Sequence, residues 1–209
     1  MESHRKALLA YSGGKFDNEL IPIKINAEVT VTKDDGPREP NEEKIKSLAP
    51  AFLEEGSITA ATSSPISVGA SALLIGNESF CEANDLKPRA EIISRAIAGV
   101  HWDRMGMGPL PAVEKALQKA KLGIEDIETI ELNEAFAAQA LYVIRKGGWD
   151  QNKINLNGGA IALGHPLGCS GARILTTLIN AMEQNSTSLG MATMCIGSGQ
   201  GIATIIKRV

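Results

Sequence analysis

The sequence has few aromatic residues and no concentration of basic charge. Phenylalanine, tryptophan and tyrosine together make up 4% of the 209 residues, too few for the stacking platforms on which single-stranded nucleic acids bind. Lysine and arginine number 21 against 24 acidic residues, and the net charge is −3. Because nucleic-acid-binding surfaces are strongly basic, both shortages argue against a nucleic acid as partner.

Cysteines and long apolar runs are also scarce. Cys81, Cys169 and Cys195 lie far apart with no C-x-x-C spacing, which argues against a metal site and a disulfide framework and favours a reducing compartment. No apolar run approaches the roughly 18 residues of a membrane-spanning helix, and the first residues lack the apolar core of a signal peptide. We therefore expect a soluble, globular, cytoplasmic protein without a membrane partner.

Hydrophobic periodicity predicts an α/β fold in which helices cover a sheet. After Lys87-Pro88, a candidate domain boundary, the predicted strands are 90–100, 127–132, 154–156, 189–196 and 202–207, and the predicted helices are 111–121, 133–146 and 171–183. The last two strands are joined by a short glycine-rich turn and are expected to be antiparallel.

The region before this boundary is less regular. Helices are predicted at 1–14, 41–48 and 79–86, strands at 21–33 and 70–76, and a loop of small residues at 57–67. The chain begins inside a helix with no strand before it, which is unusual for an α/β protein and predicts that an N-terminal part is missing.

Three polar side chains follow predicted strands or sit in a glycine-rich loop. Asn133 follows 127–132, Cys195 ends 189–196 before GSGQG, and His165 lies in the loop GGAIALGHPLGCSG, Gly158–Gly171. Glycines and Pro166 make this loop a rigid holder that aims one imidazole beside a helix N-terminus. Each side chain also has a structural interpretation: Asn133 as a helix cap, His165 as a hydrogen-bonded structural residue, Cys195 as a small buried hydrophobe.

Together the three favour acyl transfer or carbanion chemistry next to a thioester. A cysteine and a histidine within reach of each other move protons near neutral pH, an asparagine orients a water or polarises a carbonyl, and the backbone N–H groups of GSGQG suit an oxyanion hole. A papain-like hydrolase uses the same residue types, but there the order along the chain is reversed.

These motifs resemble the C-terminal motifs of thiolases in order and spacing. The matching segments are NEAF (133–136), GGAIALGHPLGCSG (158–171) and CIGSGQG (195–201), and the resemblance extends to TAATSSPISVGASALLI and MGMGPLPA. It implies a layered α-β-α-β-α fold, with residues 1–86 as the end of the N-terminal domain and 87–209 as the complete C-terminal domain. It also implies an acyltransferase of fatty-acid degradation. Such an enzyme cleaves 3-ketoacyl-CoA with CoA, or runs the reverse Claisen condensation of acetyl-CoA, and binds no covalent cofactor.

The resemblance assigns roles to residues. His165 would activate a nucleophilic cysteine and help bind the thioester oxygen, and Asn133 would hold a water in the same oxyanion site. Cys195 would exchange the proton at the α-carbon, and the N–H of Gly197 would stabilise the acyl-enzyme oxygen. The contacts to substrate would come from Ser64 at the pantetheine arm of CoA and from the pocket-lining residues Met105 and Phe136.

Two departures from the family pattern matter. Val68-Gly69-Ala70 stands where the family usually has Asp-Gly-Ala, and the nucleophilic cysteine of thiolases, which lies in their N-terminal half, has no counterpart here. Cys81 is in the wrong context to replace it. We therefore expect the chain alone to be inactive and to associate with a complementary N-terminal half or with further copies of itself. The alternative is a non-catalytic remnant or split-enzyme subunit that binds CoA or a partner chain. A β-ketoacyl synthase would share the fold but not the Cys195 motif.

Overall fold

The computed structural model describes all residues 1–209, arranged as seven α-helices and six strands. The helices are α1 (Glu2–Ser12), α2 (Glu42–Lys46), α3 (Glu78–Ala83), α4 (Pro109–Ala120), α5 (Ala137–Gly147), α6 (Ala160–Leu163) and α7 (Ser170–Asn185). The strands are β1 (Ile23–Lys24), β2 (Thr30–Val31), β3 (Ala90–Gly99), β4 (Thr129–Leu132), β5 (Leu189–Ile196) and β6 (Gln200–Arg208). No helix combines the length and apolar character needed to cross a membrane.

A four-stranded mixed sheet in the order β3-β6-β5-β4 forms the centre of the C-terminal region. β6 runs antiparallel to both neighbours, so the antiparallel pairing predicted for the last two strands is confirmed. β4 and β5 are parallel. The predicted strand at 154–156 is reduced to one isolated bridge between Ile130 and Ile154. The carboxyl ends of β4 and β5 therefore open onto the same edge of the sheet.

Helices cover both faces of this sheet, as the periodicity predicted. α4 and α5 bury one face in a cluster of 16 buried residues that includes Ala112, Val143 and Met191. α7 covers the other face, where Ile174, Leu178 and Met182 pack against Ala192 and Ile206. Met191 and Ala192 lie on opposite faces because successive side chains of a strand alternate. α7 is thereby held firmly against the strands that end at the candidate site.

The N-terminal region partly contradicts the sequence prediction. α1 and α2 form as expected, and the Asn41 side chain caps α2 by accepting a hydrogen bond from Lys44 N at 2.8 Å. The predicted strand at 21–33 is wrong, since only the exposed hairpin of β1 and β2 forms there. The buried strand predicted at 70–76 is also wrong.

Residues 70–76 have no regular secondary structure. Leu74 and Ile75 are 77% and 71% exposed. Apolar residues form a buried strand only where a neighbouring strand and a core receive them, and no part of this chain supplies either. Val68, where the family pattern is broken, lies two residues before this segment and is also fully exposed.

Candidate active site

His165 is held in the tight turn between α6 and α7. Gly164 turns the chain with φ = +94°, a conformation that favours glycine, and Pro166 follows directly. His165 Nδ1 lies 2.6 Å from Ser170 Oγ, which is 3.0 Å from Pro166 O. Because the single hydroxyl proton of Ser170 is donated to the Pro166 carbonyl, the Ser170 oxygen accepts a hydrogen bond from the N–H at Nδ1 of His165. The Nε2 atom of the neutral ring then carries the free lone pair.

Ser170 was not among the residues singled out from the sequence. It is fully buried at the first position of α7, where its hydroxyl fixes both the ring orientation and the tautomer of His165. The available signal was a serine five residues after the histidine, directly before the helix predicted at 171–183. Only the path of the turn shows that the two side chains meet.

Asn133 lies directly beyond β4 and faces His165. Its backbone N–H donates to Thr193 O at 3.0 Å, which extends the pairing of β4 with β5, and its Nδ2 lies 3.5 Å from His165 Nε2. The interpretation of Asn133 as a helix cap is wrong, because α5 begins at Ala137 with Phe136 as its N-cap residue. Asn133 Oδ1 is buried without a hydrogen-bond partner. The side chain is thus held by its strand and aimed at the histidine.

Cys195 lies at the same edge of the sheet but makes no hydrogen bond to either of these side chains. It pairs with Gly201 near the end of β5, two residues beyond the carbonyl of Thr193 that holds Asn133, and it is 5% exposed. Gly197 follows in the exposed turn between β5 and β6. The structure therefore brings His165 and Asn133 into contact and places Cys195 and Gly197 on the adjacent strand end.

The loop of small residues joins the two halves of this site. Ser64 donates from both its backbone N and its Oγ to Ala135 O, at 3.1 and 3.2 Å. The next carbonyl, Pro65 O, accepts from the backbone N of His165 at 3.1 Å. Ser64 is therefore part of a bridge between the Asn133 segment and the His165 turn. In this chain its hydroxyl is occupied by a protein carbonyl.

Phe136 lies beside this bridge, since it pairs with Ser63 in an isolated β-bridge. Phe136 contacts Phe52 edge to face, with ring centroids 5.9 Å apart. Met105 belongs to a 3-10 helical segment, Trp102–Met107. Gln139 of α5 donates its Nε2 to Gly106 O in that segment at 3.0 Å, so Met105 is tied to the helix that follows Phe136.

A cleft of about 490 Å³ opens directly after His165. It is lined by residues 67–71 on one side and 166–169 on the other. Neither His165 nor Asn133 lines it, and Cys195 does not either. No group of three or more histidine, cysteine or acidic side chains is arranged to hold a metal ion.

Burial sets the protonation states of the two titratable groups. Burial, reinforced by the positive charge of Arg173, lowers the pKa of His165 below its usual value, so the ring is neutral at pH 7 and its Nε2 is free to accept a proton. Burial raises the pKa of the Cys195 thiol, so this residue is a thiol, a proton donor, under the same conditions. The edge of the sheet thus holds one neutral base, one buried acid and one amide.

The fold and site together define an α/β protein that carries a histidine and an asparagine side by side at the carboxyl end of two parallel strands. Residues 86–208 match the family described as thiolase, C-terminal domain, and residues 1–79 match thiolase, N-terminal domain. The chain belongs to the thiolase family.

Curated relatives agree with this assignment. The chain is 54% identical over 221 residues to a 3-ketoacyl-CoA thiolase of Acinetobacter baumannii (strain ATCC 17978), and 54% identical over 217 residues to that of Psychrobacter cryohalolentis. Each alignment covers 100% of this chain and 56% of the relative. The chain therefore spans about half the length of the curated relatives it matches.

Solved structures show the same relationship. The acetyl-CoA acetyltransferase of Bacillus anthracis superposes with a TM-score of 0.95 at 39% identity, over 99% of this chain and 54% of that one. Human mitochondrial 3-ketoacyl-CoA thiolase in complex with CoA superposes with a TM-score of 0.93 at 37% identity, over 100% of this chain and 52% of that one. These likenesses confirm the predicted thiolase fold.

Proposed function

We propose that this chain supplies the oxyanion-binding and proton-transfer groups of a thiolase that cleaves 3-ketoacyl-CoA with CoA, or condenses acetyl-CoA in reverse, in fatty-acid metabolism. The observation that carries the proposal is the contact of His165 Nε2 with Asn133 Nδ2 at 3.5 Å, with the tautomer of His165 fixed by Ser170. A lone pair on Nε2 suits the activation of a thiol. After it has taken the proton, Nε2–H and Asn133 Nδ2 are two donors for one developing oxyanion.

Proton transfer to the leaving group falls to Cys195. Attack of a cysteine thiolate on the 3-keto carbonyl breaks the bond between the α- and β-carbons and leaves an acyl-enzyme and the carbanion of acetyl-CoA. A buried thiol with a raised pKa suits protonation of that carbanion. The acyl group then passes to the thiol of CoA, with Gly197 N–H, Ser64, Met105 and Phe136 as the groups proposed to contact the substrate.

The nucleophile itself has no candidate in this chain. The hydrogen-bond partners of the His165 ring are Asn133 and Ser170, not a cysteine. Burial raises the pKa of Cys169, which opposes formation of its thiolate. We therefore propose that the chain by itself has no thiolase turnover and works with a complementary N-terminal half, while CoA and acyl-CoA are its small-molecule ligands.

A complementation assay tests this function. Loss of 3-ketoacyl-CoA in the presence of CoA is measured for residues 1–209 alone, and again with the part of the Acinetobacter baumannii relative that this chain does not cover. We expect turnover only in the second case, and a loss of at least about 100-fold in the His165→Ala and Cys195→Ala variants. Cys81→Ala, which removes a cysteine remote from the site, is the matched control.

Each outcome has a distinct meaning. Normal turnover by the isolated chain would refute the proposed need for a second half. Full activity of His165→Ala or Cys195→Ala in the complemented protein would refute the roles of these residues. Calorimetric binding of CoA without turnover in any combination would support the alternative of a non-catalytic CoA-binding protein.

A further inference from the structure

A buried charged contact lies directly behind the candidate site. Glu131 of β4 is 1% exposed, and its Oε2 lies 3.7 Å from Arg173 Nη1 of α7, whose side chain is 19% exposed. Glu131 Oε1 and Arg173 Nη1 have no hydrogen-bond partner. Burying ionisable groups with so few hydrogen bonds is costly, and nothing in the chemistry proposed above uses either residue.

The sequence register relates this contact to the reacting side chains. Glu131 is two residues before Asn133, so in extended chain the two side chains point to the same face of the sheet. Arg173 is three residues after Ser170, so the two share one face of α7. The contact between Glu131 and Arg173 therefore joins the same two elements that carry the Asn133–His165–Ser170 hydrogen bonds, one step further from the strand ends.

We propose that Glu131 and Arg173 are a positioning pair that sets the separation of Asn133 from His165 by fixing the end of β4 against the start of α7. Neither residue needs to touch substrate. The assignment rests on the proposed function in one respect: it takes Asn133 and His165 to bind the same reacting oxygen.

Other charged groups surround the pair without replacing it. Glu19 accepts hydrogen bonds from Asn180 and Thr177 of α7. The negative charges of Glu19 and Glu134 raise the pKa of the Glu131 carboxyl, and the positive charge of Lys6 in α1 lowers it. Glu134 is bound to Ser3 Oγ at 2.8 Å, and Lys6 donates to Ile154 O at 2.8 Å. The positive charge of Arg173 also lowers the pKa of His165.

The state of Glu131 is accessible to experiment. Burial raises the pKa of its carboxyl to about 8, against the attraction of Arg173. At pH 7 the carboxyl is therefore mostly protonated, and Glu131→Gln replaces it with a neutral group of the same shape. Above pH 8 the wild-type side chain is ionised and its attraction to Arg173 is strongest, whereas the glutamine variant is unchanged.

The test uses nitrogen NMR of the full chain labelled at histidine, with the His165 signals assigned from a His165→Gln sample. We expect the His165 Nε2 resonance of Glu131→Gln to match wild type near pH 7 and to be shifted from it near about pH 9. The same comparison in an Asn133→Ala background is expected to show no shift. The combined variant Arg89→Met and Glu183→Gln, which removes an exposed ion pair at the far end of α7, is the matched control.

Equal shifts in both backgrounds would overturn the proposal, because Glu131 would then act on the ring by charge alone. No shift in either background would overturn it as well, because the contact would not be coupled to the site. If Glu131→Gln fails to fold by circular dichroism, Arg173→Met is measured in the same two backgrounds. No turnover is involved in the readout, so a failure of the proposed function would be seen separately in the complementation assay.

Discussion

The hydroxyl of Ser170 is the contact on which the tautomer of His165 depends. Ser170 is 0% exposed, and its oxygen is shared between His165 Nδ1 and Pro166 O. Ser170→Ala removes both hydrogen bonds, each worth roughly 0.5–1.5 kcal/mol net. We expect the free energy of unfolding to fall by about 2 kcal/mol. If the loss of the Ser170 hydroxyl weakens the preference of His165 for one tautomer by about 1.4 kcal/mol, the ratio of the two tautomers changes about tenfold.

Two measurements check this prediction. Urea unfolding gives the loss of stability, and the nitrogen chemical shifts of His165 at neutral pH give the tautomer, since protonated and unprotonated ring nitrogens have distinct resonances. We expect wild type to show Nδ1 protonated and Ser170→Ala to show a mixture. Ser94→Ala is the matched control, because Ser94 is also buried and donates to Ala116 O at 2.7 Å on the other side of the sheet.

The control separates stability from positioning. Ser94→Ala, which removes one hydrogen bond, should lose roughly 1 kcal/mol and leave the His165 resonances where they are. If Ser170→Ala keeps the wild-type tautomer while losing stability like Ser94→Ala, Ser170 is a packing residue and the argument for a prepared Nε2 lone pair fails.

Two further predictions concern stability. The raised pKa of Glu131, about 8 in the fold against 4.5 for the free group, means that the folded chain keeps a proton that the unfolded chain releases. Stability should therefore fall with rising pH between these values by up to about 1.4 kcal/mol per unit. His165, with its lowered pKa, destabilises the fold only as pH falls below about 6.5. Urea titrations between about pH 6.5 and pH 8 leave out the protonation of histidine, and the difference in slope between wild type and Glu131→Gln isolates the contribution of Glu131. A Glu131→Gln variant with the wild-type slope would disprove the assignment. Gly164→Ala should cost more than about 1 kcal/mol, because φ is +94° and the Ser67 side chain occupies the space of a Cβ, whereas Gly168→Ala meets no neighbouring atom. Equal stability of the two alanine variants in thermal unfolding would contradict this reasoning.

The success of sequence interpretation differed between the two regions for a physical reason. Strands β3, β5 and β6 and helices α4 and α7 were predicted because their apolar stripes are buried against partners within the chain itself. The segments 21–33 and 70–76 carry equally strong strand patterns, yet they form no buried strand because no neighbour in this chain accepts their side chains. The apolar pattern of a segment shows which of its side chains can be buried, but it does not show whether a neighbouring strand or helix is present to bury them.

The candidate site was predicted in part for a similar reason. His165 and Asn133 stood out because a glycine-rich turn and a strand end are local features, and the structure brings the two together. Glu131 and Arg173 were missed, since their contact depends on how α7 lies against β4, which involves residues about 40 positions apart in sequence. Ser170 was missed because the path of the turn after His165 decides whether the two side chains meet. The roles of Cys195 and Gly197 stay predictions that the complementation assay addresses.

The connections of the sheet differ greatly in the entropy needed to close them. β5 and β6 are joined by the three residues after Ile196, whereas β4 reaches its parallel neighbour β5 only after α5, α6 and α7. Closing a short loop costs less chain entropy than closing a long one. Cys195 therefore belongs to the hairpin whose closure costs the chain least. His165 and Asn133 face each other only once the long crossover between β4 and β5 has packed, so their contact depends on a far less local step than the hairpin that carries Cys195.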